Sequence, residues 1–124
     1  MSSGTESLDP ADPVGYFLED LTYHGKTDRT KRSYERVLRR FEAFVADRRG
    51  EDGGAPERDG NANVTAQATH RDCMAFVHSL RGDLAESTVA TYAAYLHRYY
   101  TYMTQVGAFE SNPMTLVMEE MDES

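Results

Sequence analysis

The chain has 124 residues and a formal net charge of −8, from 21 acidic and 13 basic side chains, and its length fits one domain. No run of about 18 apolar residues occurs and the first residues are polar, so we expect neither a transmembrane helix nor an N-terminal signal peptide. The only cysteine, Cys73, excludes an internal disulfide framework and fits a reducing cytoplasm, the expected location. Taken alone, the negative charge also argues against a polyanionic partner.

The N-terminal part predicts a tail followed by a helix. Residues 1–11 are small, polar and acidic, and we expect a disordered tail before a single helical domain over 12–121. Asp12 and Pro13 have the pattern of an N-cap and a first helical residue, because proline lacks the N–H that would be unpaired there. Gly25 suits the left-handed position that ends such a helix. The apolar face of this first helix consists of Val14, Phe17, Leu18 and Leu21.

A second, longer helix is predicted from the N-cap Thr27 to Asp47 or Arg48. Its apolar positions are Tyr34, Val37, Leu38, Phe41, Phe44 and Val45. Residues 50–63 are rich in glycine and acidic side chains and nearly without apolar ones, so they predict a flexible loop.

Two further helices are predicted in the second half of the chain. Thr69 caps a third helix that ends before Gly82, with Cys73, Phe76, Val77 and Leu80 on its inner face. A fourth helix is predicted over 87–106, with Gly107 as its stop. Its inner positions are Val89, Tyr92, Leu96, Tyr99, Tyr100 and Met103.

Asn112 and Pro113 repeat the signal of a cap and a first helical residue, which predicts a short fifth helix. Its apolar side consists of Met114, Val117, Met118 and Met121. This side either closes the base of the bundle or docks on another domain or protomer. Because no strand or hairpin pattern occurs, the sequence predicts an all-α bundle of four helices plus a short fifth.

The charge is distributed unevenly along the chain. Residues 26–49 contain nine basic and four acidic side chains, a local charge of +5, and the rest of the chain carries −13. Only two lysines occur against eleven arginines, and this composition resembles that of proteins that stay soluble in molar salt. In that case the acidity reflects the solvent of a halophile and says little about partners. The alternative is an ordinary acidic domain of a mesophile.

On a helical wheel, five arginines of the second helix lie opposite its apolar face: Arg29, Arg32, Arg36, Arg39 and Arg40. A row of charges on a helix is often only a solvated face. In a chain that is otherwise strongly acidic, however, a row of arginines indicates selection for a partner. The guanidinium group suits phosphate oxygens and guanine edges, and a helix fits the major groove of DNA.

The outer face of the fourth helix has a different character. Small residues, Ser87, Thr91 and Ala94, lie near its start, followed by Arg98, with Tyr95 at one side. Small side chains permit close approach to another surface, and a helix N-terminus favours a phosphate. Serine and threonine at a helix start are also commonly simple caps, so this signal is weaker.

The spacing of these residues resembles a known family. The second helix reads Thr27-x-x-Thr30-x-x-x-Tyr34-x-x-x-Leu38-x-x-Phe41, and the fourth reads Thr88-Val89-x-x-Tyr92-x-x-x-Leu96-x-Arg98-Tyr99-Tyr100-x-Tyr102-Met103, followed by Gly107 and Asn112-Pro113. Over residues 12–118 this order is similar to the core-binding domain of tyrosine recombinases, the phage-integrase and Xer-type enzymes. No single element is diagnostic, and the succession carries the resemblance.

The resemblance implies a SAM-like helical bundle that forms half of a clamp around a recombination half-site in double-stranded DNA. The DNA-contacting residues that the resemblance implies at the second helix are Lys26, Arg29, Thr30, Lys31, Arg32, Arg36 and Arg40, and we add Arg39 from the arginine face. Those that it implies on the fourth helix are Ser87, Thr88, Thr91, Tyr95 and Arg98. The family's catalytic residues lie in a C-terminal domain, which we expect beyond Ser124. That domain and neighbouring protomers would be further partners, whereas no membrane is expected.

We expect no chemistry from this chain by itself. Four of its eight tyrosines, Tyr34, Tyr92, Tyr99 and Tyr100, lie on or beside predicted core faces. No base or oxyanion-stabilising set is visible, and no catalytic residue is assigned. The four histidines have no partner at metal-ligand spacing, and no phosphate-binding loop occurs, so we expect neither a metal nor a cofactor. A function of a different class remains open, a helical interaction module whose arginine face binds an acidic protein.

Overall fold

The computed structural model describes residues 12–51 and 64–123. These residues form six α-helices and no strand, which confirms the predicted all-α class. In chain order the helices are α1 (Pro13–Tyr23), α2 (Asp28–Glu51), α3 (Val64–Gln67), α4 (His70–Arg81), α5 (Glu86–Gln105) and α6 (Met114–Glu123). The tail predicted over 1–11 lies outside the described residues.

The ends of α1 follow local sequence signals. Pro13 is its first residue, and the main-chain carbonyl of Asp12 accepts a hydrogen bond from the N–H of Tyr16 at 3.0 Å. Gly25 has φ +82°, a conformation that glycine adopts without steric cost. This turn lets the N–H of Lys26 bond the Leu21 carbonyl at 3.0 Å and directs the chain into α2.

Helix α2 is longer than predicted. It begins after Thr27, whose Oγ1 accepts a hydrogen bond from the N–H of Thr30 at 3.2 Å, but it continues to Glu51. The predicted end at Asp47 or Arg48 and the loop assigned from residue 50 are therefore wrong at this boundary. Arg48 and Arg49 in the last turns of α2 donate hydrogen bonds to the Asp72 carboxylate near the start of α4, and these bonds hold the end of α2 in place. The rest of the predicted loop, 52–63, lies outside the described residues.

The short helix α3 was not predicted. It is held by two tyrosines of α5 whose hydroxyl groups both reach Thr65. The Tyr100 hydroxyl donates to the Thr65 carbonyl at 2.7 Å, and the Tyr99 hydroxyl lies 2.8 Å from Thr65 Oγ1. Because all three side chains are buried, these bonds satisfy polar groups that would otherwise be unpaired in the core.

The remaining helices agree with the prediction to within two residues. Thr69 and Asp72 form a capping box at the start of α4, each side chain bonding the main-chain N–H of the other. Gly107, with φ +87°, follows α5, and Asn112 Oδ1 accepts from the N–H of Met114 at 2.9 Å at the start of α6.

Helices α2 and α5 form the centre of the bundle. Helix α2 packs against α1, α3, α4 and α5, and α5 packs against α1, α2, α4 and α6. The predicted inner residues of all five helices are buried or packed against the core. On α6 this includes Met114 and Val117, which are buried, and Met118, which is partly buried, so this side closes the base of the bundle. Among the described residues no helix has the length and apolar character to cross a membrane.

Candidate nucleic-acid interface

The first half of α2 presents three exposed arginines on one face. Arg29, Arg32 and Arg36 are exposed and follow the spacing i, i+3, i+7. Within the described part of the chain, no carboxylate forms an ion pair with any of them. With Arg40 on the same side, the row extends over 12 residues, and its two ends are about 16 Å apart along the helix axis. We call Arg29, Arg32, Arg36 and Arg40 the arginine row.

Arg40 is the member of the row with an acidic neighbour. Its Nη2 lies 3.8 Å from Oδ2 of Asp83, in the connection between α4 and α5, and both side chains are well exposed. An exposed ion pair at this distance contributes little to stability, so Arg40 can exchange this partner for another anion at small cost.

Arg39, which the wheel places beside the row, differs from its members in being paired with three carboxylates. Its Nη1 and Nη2 donate to the two carboxylate oxygens of Asp12 at 3.0 and 3.1 Å, and Nη1 also donates to Oε1 of Glu42 at 3.0 Å. Glu35 lies 3.9 Å from its Nε. The predicted row of five arginines is therefore interrupted by carboxylates here, and Arg39 joins the start of α1 to α2.

The pKa values of Asp12 and Glu42, the two acids bonded to Arg39, are shifted in opposite directions. The hydrogen bond from Arg39 holds the pKa of Asp12 below its ordinary value. Burial raises the pKa of Glu42, and the nearby Arg39 opposes this only in part. Glu42 is 6% exposed and its Oε2 has no hydrogen-bond partner within 12–51 and 64–123, so Glu42 depends on Arg39 for the compensation of its charge.

The other predicted contacts near the start of α2 have mixed surroundings. Lys26 is exposed, whereas Nζ of Lys31 donates to Thr22 Oγ1 at 2.6 Å and helps to fix α1 against α2. Thr30 is partly buried and its N–H is used in the cap of α2. Lys31 and Thr30 therefore have structural roles that the sequence did not indicate.

On α5 the predicted contact residues form a second, smaller face. Ser87, Thr91 and Arg98 are exposed, whereas Thr88 and Tyr95 are partly buried. The Thr91 hydroxyl donates to the carbonyl of Ser87 at 3.1 Å, one turn earlier in the same helix, which leaves its oxygen lone pairs available as acceptors.

The start of α5 is acidic, which its small hydroxyl residues did not indicate. Asp83 and Glu86 are both exposed there, and Nε of Arg81 lies 3.6 Å from Oε2 of Glu86. These carboxylates already interact favourably with the positive end of the helix. The start of α5 is for this reason less suited to a phosphate than the sequence suggested.

The two faces meet at a tyrosine pair. The rings of Tyr34 on α2 and Tyr95 on α5 stack with their centroids 4.3 Å apart and an angle of 28° between their planes. Burial raises the pKa of Tyr34, and the positive charge of Arg98 opposes that shift. The structure thus brings Tyr95 and Arg98 of α5 next to α2.

No other chemistry competes with this surface among the residues described. Within 12–51 and 64–123, no three histidine, cysteine or acidic side chains are placed to hold a metal ion. Burial raises the pKa of the Cys73 thiol to about 12 and that of Tyr99 well above its ordinary value, so both are poor nucleophiles at neutral pH.

Comparison of the chain with protein-family models, with curated proteins and with solved structures yields no match. The resemblance to tyrosine recombinases therefore depends on the residues quoted above.

Proposed function

We propose that this chain is a DNA-binding module without catalytic activity of its own, which holds double-stranded DNA against the outer face of α2. We further propose that it acts as the core-binding domain of a tyrosine recombinase in the cytoplasm. Its partners are then a recombination half-site, a C-terminal catalytic domain and neighbouring protomers. The DNA-binding proposal rests on the surface of α2, and the recombinase proposal rests in addition on the sequence resemblance.

The observation that carries the proposal is the set of unpaired arginines on α2. The chain has 21 acidic side chains, yet Arg29, Arg32 and Arg36 share one exposed face without an ion pair among the described residues. Like charges on adjacent helical turns repel one another. An anionic partner removes this repulsion, and a row of about 16 Å matches several successive phosphates of a DNA strand.

The position of α5 supports the same reading. Through the stacked pair of Tyr34 and Tyr95, the exposed face of α5 that contains Arg98 lies beside α2, so that two helices can contact one duplex. Phosphate contacts from the arginine row would fix the position of the duplex, and side chains of α5 would reach base edges.

The test is duplex-DNA binding by the double variant Arg32→Ala plus Arg36→Ala, measured by fluorescence anisotropy over a series of low salt concentrations. We expect at least a tenfold loss of affinity and a shallower salt dependence, because two phosphate contacts disappear. The melting temperature should remain unchanged, since both side chains are exposed. The matched control is Arg71→Ala plus Arg81→Ala, which removes the same charge from exposed positions of α4 and should weaken binding much less.

Two outcomes would contradict the proposal. One is the absence of duplex binding by the parent chain at low salt. The other is an equal loss of affinity in both double variants, which would indicate a general effect of net charge. If polyglutamate displaces the duplex at an equal concentration of charge, the arginine row is a site for acidic proteins instead.

A further inference from the structure

A groove of about 220 Å³ lies between α4 and α6. Four of the side chains that line it are apolar, and the others are polar or charged. Helix α4 contributes Met74, Val77, His78 and Arg81, and helix α6 contributes Val117, Glu120 and Met121. Because no member of the arginine row and none of the α5 residues predicted to contact DNA lines the groove, it is a surface separate from the candidate nucleic-acid interface.

Exposed apolar side chains lie beside this groove. Among the described residues, three large hydrophobic side chains are well exposed: Tyr23, Met74 and Leu116. Met74 lines the groove and is 38% exposed. Leu116 is 52% exposed and lies one helical turn before Glu120, on the side of α6 that borders the groove. Burial of Met74 and Leu116 against another surface would be favourable, because it would remove apolar area from water.

The two edges of the groove carry opposite charges. Arg81 lies at the α4 edge, and its Nε is 3.6 Å from Oε2 of Glu86, with both side chains well exposed. Such a pair contributes little to stability, so Arg81 can exchange this partner at small cost. Glu120 lies at the α6 edge, is exposed and forms no ion pair with another residue of 12–51 and 64–123. A partner that fills the groove must therefore present an acidic group to α4 and a basic group to α6.

We propose that a second copy of this chain occupies the groove, in a dimer whose two-fold axis runs parallel to the groove. Half a turn about this axis places α4 of each copy opposite α6 of the other and changes no position along the groove. Because Arg81 and Glu120 line the same groove, Arg81 of one copy then meets Glu120 of the other, and the same pair forms at the opposite edge. A two-fold interface requires this self-complementarity.

The same arrangement covers the exposed apolar side chains. Met74 and Leu116 of both copies are removed from water when the two grooves face each other. The association needs no DNA and uses no residue assigned to DNA contact, so it goes beyond the DNA-binding function proposed above. A dimer also presents two arginine rows, which allows bivalent binding to one duplex.

The test is sedimentation velocity of the full 124-residue chain without DNA, from low micromolar to millimolar concentrations. Because the groove spans only part of two short helices, we expect a weak dimer, with a dissociation constant of about 100 µM. Arg81→Glu and Glu120→Arg each place like charges opposite one another at both edges and should weaken the dimer by about tenfold or more. The matched controls are Arg36→Glu and Glu110→Arg, which make the same changes of charge at exposed positions outside the groove and should dimerise as the parent does.

Combination of the two charge reversals tests the reciprocal pairing. An equimolar mixture of Arg81→Glu and Glu120→Arg places opposite charges at both edges of a mixed dimer and should restore association. The double variant Arg81→Glu plus Glu120→Arg restores them within a dimer of its own and should associate as strongly as the parent. Circular dichroism should show the helical content of the parent in all of these chains, since both side chains are exposed.

A further double variant tests the apolar part of the interface. Met74→Gln plus Leu116→Gln removes exposed apolar area without changing the net charge, so it should weaken the dimer severalfold and leave the helical content unchanged. The matched control is Tyr23→Gln, which removes the third exposed hydrophobic side chain, on α1 and outside the groove. This control should dimerise as the parent does.

Each contrary outcome overturns a defined part of the proposal. If the parent stays monomeric over the whole concentration range, the dimer is overturned, and the groove is left to a different partner such as an amphipathic helix of another protein. If the parent dimerises but neither charge reversal weakens the dimer, or if their combination fails to restore it in folded chains, the α4–α6 interface is overturned. If Tyr23→Gln weakens the dimer as much as the Met74 and Leu116 double variant does, the apolar contact is overturned. Because these measurements contain no DNA, their failure is distinguishable from failure of the DNA-binding function.

Discussion

Two groups of arginines on α2 have different electrostatic surroundings. Arg29, Arg32 and Arg36 form no ion pair among the described residues, and their side chains are exposed. Arg39 bonds Asp12 and Glu42, and the Arg48–Arg49 pair bonds Asp72 of α4 at 3.0 and 2.8 Å. The first group is available to a partner, while the second group holds α1 and α4 in place.

This comparison shows that the local charge of +5 is not a measure of binding capacity. The guanidinium groups of the second group are largely neutralised by the carboxylates of Asp12, Glu42 and Asp72, and they stabilise the fold. A substitution in the first group should alter DNA binding without altering stability, and a substitution in the second group should do the reverse. Four variants test this separation.

The largest expected effect is that of Asp72→Ala. Asp72 is 6% exposed, caps α4 through the N–H of Thr69 and accepts hydrogen bonds from Arg48 and Arg49. Loss of the cap and of the charge-assisted bonds should lower the free energy of unfolding by about 3 kcal/mol. Urea denaturation measures this, and duplex affinity of the folded variant should match that of the parent. Asp72→Asn retains an acceptor for Thr69 and should cost about half as much; an equal cost would contradict the role of the cap.

Arg39→Ala should have the next largest effect. It leaves the buried carboxylate of Glu42 without compensation, which we expect to cost about 2 kcal/mol. Addition of Glu42→Gln removes the buried charge and should recover part of the loss. If Arg39→Ala weakened duplex binding as much as Arg36→Ala and left stability intact, Arg39 would be assigned to the DNA-binding surface.

Arg36→Ala tests the first group of arginines. Because Arg36 is exposed and unpaired among the described residues, its removal should leave the melting temperature unchanged. The slope of log affinity against log salt should become shallower by about 1, with a loss of about 1 kcal/mol in binding at low salt. Arg71→Ala on α4 is the control for the change in net charge. An unchanged slope of log affinity against log salt would show that Arg36 does not contact the duplex.

The smallest expected effect is that of Asp12→Asn, which depends on pH. Arg39 lowers the pKa of Asp12 below its ordinary value of 3.8, so the ion pair stabilises the folded chain at neutral pH and this contribution is lost as the pH falls below that value. Because the pair is half-exposed, we expect about 0.5 kcal/mol at neutral pH. Denaturation at neutral and at strongly acidic pH should show the two chains becoming equally stable in acid. A difference in the free energy of unfolding that is the same at both pH values would indicate a cause other than the ionisation of Asp12.

The sequence predicted those features of the fold that depend on near neighbours. Gly25 and Gly107 end helices because glycine adopts positive φ freely, and the apolar periodicity identified the inner faces of the five predicted helices correctly. These signals operate within a few residues of the chain, so they can be recognised without tertiary structure.

Features that depend on distant contacts cannot be recognised from such local signals. Arg39 meets Asp12 across 27 positions. The continuation of α2 and the formation of α3 depend on Asp72 and on two tyrosines of α5, 23 to 35 positions away. Two local signals were available in the sequence: Glu35 and Glu42 lie within helical pairing distance of Arg39, and the sequence from Thr69 to Asp72 has the spacing of a capping box.

The burial of Cys73 makes the chain convenient for site-specific labelling. This thiol is the only one in the sequence, is fully buried on α4, and has its pKa raised to about 12 by that burial. Maleimide reagents attack thiolates, and Cys73 supplies almost none at neutral pH. A cysteine introduced at exposed Ala43 on α2 or Ala94 on α5 can therefore take a fluorophore selectively, with the native thiol left in place. A dye at either position reports directly on which helix a duplex approaches.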